Sequence, residues 1–190
     1  NIGAVALQRE YSWLFRRMNE PLRRATAPIF WLEELRTINI SLRAKAVGPG
    51  AEPGLLADSL MEEGMRKILA RGESAEGALA GLAARLAHHA PACAELAEIR
   101  QRGGWSGVEE ALNDIFLERL ASLPLHPQVR RFVSLMVDGR NLIAVAKGIR
   151  WQQADRPPFA TGGSIPLKRL QGLRQRGDLA GVVRLAENLG

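Results

Sequence analysis

Residues Met136 to Trp151 read "MVDGRNLIAVAKGIRW" and set an acid and an amide, Asp138 and Asn141, into a stretch otherwise apolar enough to be buried. At a spacing of i, i+3 the two side chains share one helix face. There they could do acid–base chemistry, cap a helix, or bind the backbone or side chains of adjoining helices. A second group is His88, His89 and Cys93, of which His89 and Cys93 stand i, i+4. One helix face could offer these to a metal, but a structural zinc site wants four ligands and the sequence holds no second cluster. A Cys93 nucleophile with a histidine base is conceivable, although helical spacing gives no reason for a lowered thiol pKa. Glu109 and Glu110 fit helix capping better than catalysis, since "SGVE" allows Ser106 and Glu109 to cap one another's amides. No G-x-x-x-x-G-K-[ST] or strand-linked G-x-G-x-x-G loop occurs, so the phosphate cradle of the common nucleotide enzymes is missing. The reading from these residues is a non-catalytic chain with no cofactor and no metal.

These groups sit in a chain of 190 residues, 46% hydrophobic and 24% charged, with a formal net charge of +6. That composition is globular, and the length suits one large domain or two small ones. Arg140 to Arg184 holds nine basic residues against Asp155 and Asp178. Such a segment attracts polyanions or an acidic protein face. Base stacking would need aromatic platforms among the basic residues, and this segment has only Trp151 and Phe159. With Cys93 alone an intrachain disulfide is impossible, which points to a reducing compartment. No apolar run approaches the roughly 18 residues a membrane span requires. The opening on Asn1 rather than Met suggests that a preceding segment lies outside this sequence.

Apolar residues recur at three- and four-residue spacing almost throughout, which predicts an all-α fold. The first helix has Tyr11, Leu14, Phe15, Met18 and Leu22 on one face, with Asn19 to Pro21 as its break or kink. The second opens near Pro28 and buries Trp31, Leu35, Ile38 and Leu42. After the loop "GPGAEPG" come a helix from about Leu55 to Ala70, another from Ser74, and a short one after Pro91. A helix from Ser106 buries Val108, Leu112, Ile115, Phe116 and Leu120. Pro127 then opens a long helix whose expected buried stripe is Val129, Phe132, Val133, Met136 and Ile143. Trp105 and Trp151 stand at helix edges, where a large ring usually seals a core. The loop "QQADRPPFATGGSIP" leads to final helices headed by Pro166 and Asp178.

The order of these pieces repeats. A shift of 102 residues sets Phe30 over Phe132, Asn39 over Asn141 and Lys45 over Lys147, and a shift of 105 matches the helices after the two Pro/Gly loops. The expected domains are therefore residues 1–102 and 103–190, two similar multi-helix units. Repeating units of this kind bury their apolar faces on neighbours, which suggests a larger array whose third unit is absent here.

"VEEALNDIFLERL", "VDGRNLIAVAKGIRW" and "FATGGSIPLKRL" together resemble the family of central-stalk C subunits of bacterial and archaeal A/V-type rotary ATPases, the counterparts of the d subunits of V-type ATPases. Asp114 and Phe116, then Asp138 and Asn141, then Gly162 and Gly163 carry the likeness, which spans roughly Gly107 to Leu170. In the fainter first copy Arg36 falls where the acid should be. The resemblance implies a funnel of three helical domains seated on the membrane proteolipid ring, with a socket for the rotor shaft. It implies a coupling spacer that is cytoplasmic, peripheral to the membrane and without catalysis of its own. Asp138 and Asn141 would then be structural, and Arg169, Arg174 and Arg176 are the candidate interface residues. The alternative is a basic all-α nucleic-acid-binding protein; an enzyme using Cys93 and His89 is the weaker third reading.

Overall fold

A computed structural model describes residues 2–48, 53–71, 74–152 and 159–189, and every element among them is a helix. In chain order they are α1 (Ile2–Arg17), α2 (Glu20–Val47), α3 (Pro53–Ala57), α4 (Glu63–Ala70), α5 (Ala75–Leu86), a 3-10 helix (Pro91–Glu95), α6 (Leu96–Ala121), α7 (Pro127–Arg150), α8 (Leu167–Arg176) and α9 (Leu179–Glu187). The chain divides into two compact units, residues 1–116 and 117–190, the boundary falling inside α6. No helix among the described residues is long and apolar enough to cross a membrane.

The first unit is built around α2. Asn19 starts that helix by accepting from the Leu22 amide at 3.0 Å, with Glu20 and Pro21 in the first turn. Pro28 therefore lies inside α2 rather than opening it, because the cap upstream had already set the helix running. Leu35, Ile38 and Leu42 pack against Leu69 of α4, Leu79 and Leu82 of α5, Cys93, and Leu96, Val108 and Leu112 of α6. The single helix expected from Leu55 to Ala70 is two pieces, α3 and α4, since the chain between them is diverted onto a buried acid of α2. Ser74 caps α5 as its type predicts, accepting from the Gly77 amide at 3.1 Å. The start expected at Ser106 is instead a kink at Gly104 (φ 64°, ψ −163°), where a left-handed residue breaks the ladder without ending the helix. Glu109 is consequently released from capping and pairs with Arg43 of α2.

In the second unit α7 is the central element. Leu142 and Val145 join Ile165, Leu170, Leu173, Val182 and Leu185 in one core. Gly177 ends α8 in the left-handed conformation (φ 65°), and Asp178 at once caps α9 by accepting from the Gly181 amide at 2.7 Å. The buried side of α7 is not the expected stripe. Val129 and Val133 are inside, but Phe132, Met136 and Ile143 are exposed, and Val137, Asp138, Asn141 and Val145 take the interior. α7 is apolar on two sides, so periodicity could not choose between them. The polar pair chooses, because Asp138 and Asn141 must face their partners. In the same way Leu14, Leu22 and Trp31, expected inside the first unit, are exposed.

Candidate functional site

Asp138 and Asn141 are 0% and 1% exposed, and each is hydrogen-bonded to the segment 159–165 that leads into α8. Asn141 reads one residue twice: its Nδ2 donates to the Ala160 carbonyl and its Oδ1 accepts from the Ala160 amide, both at 2.9 Å. Asp138 accepts the Ser164 amide and hydroxyl on Oδ2, at 2.8 and 2.6 Å, and the Ile165 amide on Oδ1 at 3.0 Å. The spacing i, i+3 places the two side chains one turn apart on α7. They thus fasten both ends of a short irregular stretch whose backbone would otherwise be buried without partners.

Gly162 and Gly163 let that stretch lie flush on its unit. Gly162 has φ +96°, and a Cβ there would overlap the Cβ of Ala121; a Cβ on Gly163 would overlap Asp138 Oδ1. Only a chain without side chains at both points can bring the amides of Ser164 and Ile165 to the carboxylate. Asp138, Asn141, Gly162 and Gly163 are therefore one device, which ties the α8 entry to the middle of α7.

The first unit holds a comparable network that the motifs in the sequence do not reveal. Glu34 of α2, buried at 6% exposure, accepts from Gln8 Nε2 of α1 at 2.7 Å, from Ser59 Oγ at 2.5 Å and from the Leu60 amide at 2.8 Å. Ser59 Oγ also accepts from the Met61 amide at 3.1 Å, and Thr37 donates to Gln8 Oε1 at 3.2 Å. Here too an acid on the long helix captures a serine hydroxyl and the next amide just before a short helix. The one signal for it is the pair "SL" at Ser59 and "SI" at Ser164, each shortly ahead of a helix start.

No family model, curated protein or solved structure matches this chain. The site therefore has to be read from its own geometry, and that geometry is closed. Both buried carboxylates spend their lone pairs on donors from the protein, leaving neither acid poised toward a substrate. Among the described residues no three His, Cys, Asp or Glu side chains gather where they could hold a metal ion. Cys93 is buried, which pushes its thiol pKa up and keeps it protonated, while His88 and His89 are exposed. A protonated, buried thiol is a poor nucleophile.

The remaining predicted residues are not brought to this device. Asp114 is half-buried on α6, and Phe116 packs against the core of the first unit. Arg169 and Arg176 are exposed on α8. Arg174 is half-buried, its Nε 3.2 Å from where a Gly148 Cβ would stand, so it lies across α7 rather than facing solvent. Asp155 is outside the described residues. Trp105 packs on the core, with the Arg100 guanidinium 4.6 Å over its ring, whereas Trp151 is exposed.

Proposed function

We propose that this chain is a non-catalytic central-stalk coupling component of a V/A-type rotary ATPase, joining the rotor shaft to the membrane proteolipid ring from the cytoplasmic side. The supporting observation is that Asp138, Asn141, Gly162 and Gly163, four of the six residues that carry the resemblance to that family, are spent on holding the segment before α8 to α7. A spacer transmits torque through rigid internal joints and needs no open chemistry. The two acid-centred joints further support two related helical units within a funnel-shaped array. A single offset of 104 residues carries the end of α1 onto the end of α6, the start of α4 onto that of α8, and the start of α5 onto that of α9. It also carries Glu34 onto Asp138, Thr37 onto Asn141, and the cap pair Ser74–Gly77 onto Asp178–Gly181. In this register the acid of the first copy is Glu34, not the vacancy that Arg36 marks at an offset of 102.

The decisive experiment is binding of the full chain to a purified rotor shaft and to a detergent-solubilised proteolipid ring, alongside calorimetric titration with Mg-ATP. The proposal expects binding to both assemblies and none to the nucleotide. Failure to bind either assembly, or micromolar Mg-ATP binding, overturns it.

A second reading, binding to nucleic acid, is favoured by one observation: residues 117–190 hold twelve Lys and Arg against five Asp and Glu, so the net positive charge of the chain belongs to the second unit. Phosphate-backbone binding would weaken log-linearly and steeply with salt.

A further inference from the structure

α7 has a second apolar face that lies open to solvent. Phe132, Met136 and Ile143 are 38%, 40% and 57% exposed, and none of them packs on the core of the second unit. With Gly139 they fall at successive spacings of four, three and four residues, so they lie in one line along the helix, as the seam of a coiled coil does. A Cβ on Gly139 would meet nothing within 4 Å, so the middle of the seam is a notch open to close approach. A helix facing only water carries polar residues on its outer side. This one carries a seam.

The charges that α7 itself sets along the seam are all of one sign. Arg150 continues the line and is exposed; Arg140 and Lys147 flank it, half-buried and already engaged within the chain, yet still contributing positive charge. The only acid of α7 is Asp138, buried on the opposite side and bonded to Ser164 and Ile165. A second copy docking through the same seam would set these cations against their own kind. A bilayer would use a broad apolar face, and this one is a single narrow line with a notch.

We propose that the exposed face of α7 docks an acidic amphipathic helix from another protein. Its apolar stripe seats along Phe132, Met136 and Ile143, its backbone comes closest at Gly139, and its flanking carboxylates lie toward Arg140, Lys147 and Arg150. The seam from Phe132 to Arg150 rises about 27 Å at roughly 1.5 Å per residue, which matches a partner of about five turns. This inference stands whether or not the chain belongs to a rotary ATPase.

The test uses the full chain and two synthetic helical peptides of five turns, both with Leu at the a and d positions, one with Glu and one with Lys at e and g. Fluorescence anisotropy should show binding of the Glu peptide that weakens with salt, and far weaker binding of the Lys peptide. Met136→Ser combined with Ile143→Ser should lower the affinity by roughly tenfold or more, as loss of central anchors does, with the melting curve unchanged. Gly139→Gln should fill the notch and weaken docking while raising the melting temperature, since Gln is the better helix former. Equal binding of both peptides, no binding of the Glu peptide, or no loss in the Ser variant overturns the proposal. So does a dimer in sedimentation velocity, or retention on phosphatidylglycerol vesicles, that the Ser variant abolishes, because either assigns the seam to a different occupant.

Discussion

Ser164 gives Asp138 both of its donors, the amide at 2.8 Å and the hydroxyl at 2.6 Å, and both arrive at one carboxylate oxygen. The other oxygen takes the Ile165 amide, so the acid faces donors only. Asp138→Asn would turn an NH2 group toward one of them and remove the charge that strengthens the rest. A cost on the order of 3 kcal/mol is expected, from charge-assisted bonds lost and a buried donor left unpaired. Urea denaturation of the variant checks this. A shift of the midpoint too small to measure would mean that the segment before α8 is held by something else.

Two glycines of the second unit should respond in opposite ways to alanine. At Gly163 the new methyl would overlap Asp138 Oδ1, so the loop must lift and surrender the joint, at about 1–3 kcal/mol. At Gly139, inside α7, the methyl meets open space and removes backbone entropy from the unfolded chain. That change should stabilise by about 0.5–1 kcal/mol. Parallel thermal melts of the two variants decide it, and a drop at Gly139 or indifference at Gly163 would contradict the packing described.

Glu34 should be the most sensitive acid of the first unit. Glu34→Gln keeps the shape but replaces one carboxylate oxygen with an NH2, set either against Gln8 and Leu60 or against Ser59, all of which donate to the acid, and it removes the charge that strengthens the remaining bonds. The loss should be about 2 kcal/mol, near that of other buried donors left without acceptors. Arg36→Ala, on an exposed residue of the same helix, should change stability by less than about 0.5 kcal/mol. Similar losses for the two variants, read from denaturant titrations, would remove Glu34 from the role assigned to it.

Asp138 and Asn141 were legible in the sequence because an acid and an amide one turn apart stand out in "VDGRNLIAVA". Their partners were half legible: the double glycine marked a tight approach without saying to what. Glu34 was hidden, since in "WLEELRTI" it sits beside Glu33 and near Arg36 and looks like part of a solvated charged face. Only its contacts with Gln8, Ser59 and Leu60, each about 25 residues away in sequence, distinguish it. The helical class was plain from periodicity, but the inner side of α7 was not, because Phe132, Met136 and Ile143 form as regular a stripe as the residues that are buried. Which stripe goes inside is decided by long-range polar satisfaction, a property no local window contains.

Cys93 should report on unfolding. Burial raises its thiol pKa above the unfolded value, so below the unfolded pKa the thiol is neutral in both states and pH has no leverage through it. As pH rises past that value, the unfolded chain loses the proton first, and this group's contribution to stability falls until the folded pKa is reached. Alkylation by iodoacetamide should accordingly be slow in the native chain and fast in urea. Stability of the wild type should decline more than that of Cys93→Ala between about pH 8 and 10, the range that brackets an ordinary thiol pKa of about 8.5. Rapid native alkylation would show that the thiol is reached without opening the core.

The basic face of α8 should govern association with the rotor, if the coupling proposal holds. Lys168, Arg169 and Arg176 are exposed on that helix, whereas Arg174 lies across α7 at Gly148, so a reversal that includes Arg174 would mix packing with charge. The informative variant is Lys168→Glu, Arg169→Glu and Arg176→Glu together. Exposed charges contribute little to folding, so its circular dichroism and melting should match the wild type. Charge steers encounter more than it holds a complex together, and the association rate at low salt should therefore fall by about tenfold or more while the dissociation rate changes little. The wild-type rate should drop toward that of the variant as salt rises. Stopped-flow mixing with the purified shaft–ring assembly at low and high salt measures both. An unchanged association rate at low salt would make the α8 surface a solvated face and move the search for the interface to α7.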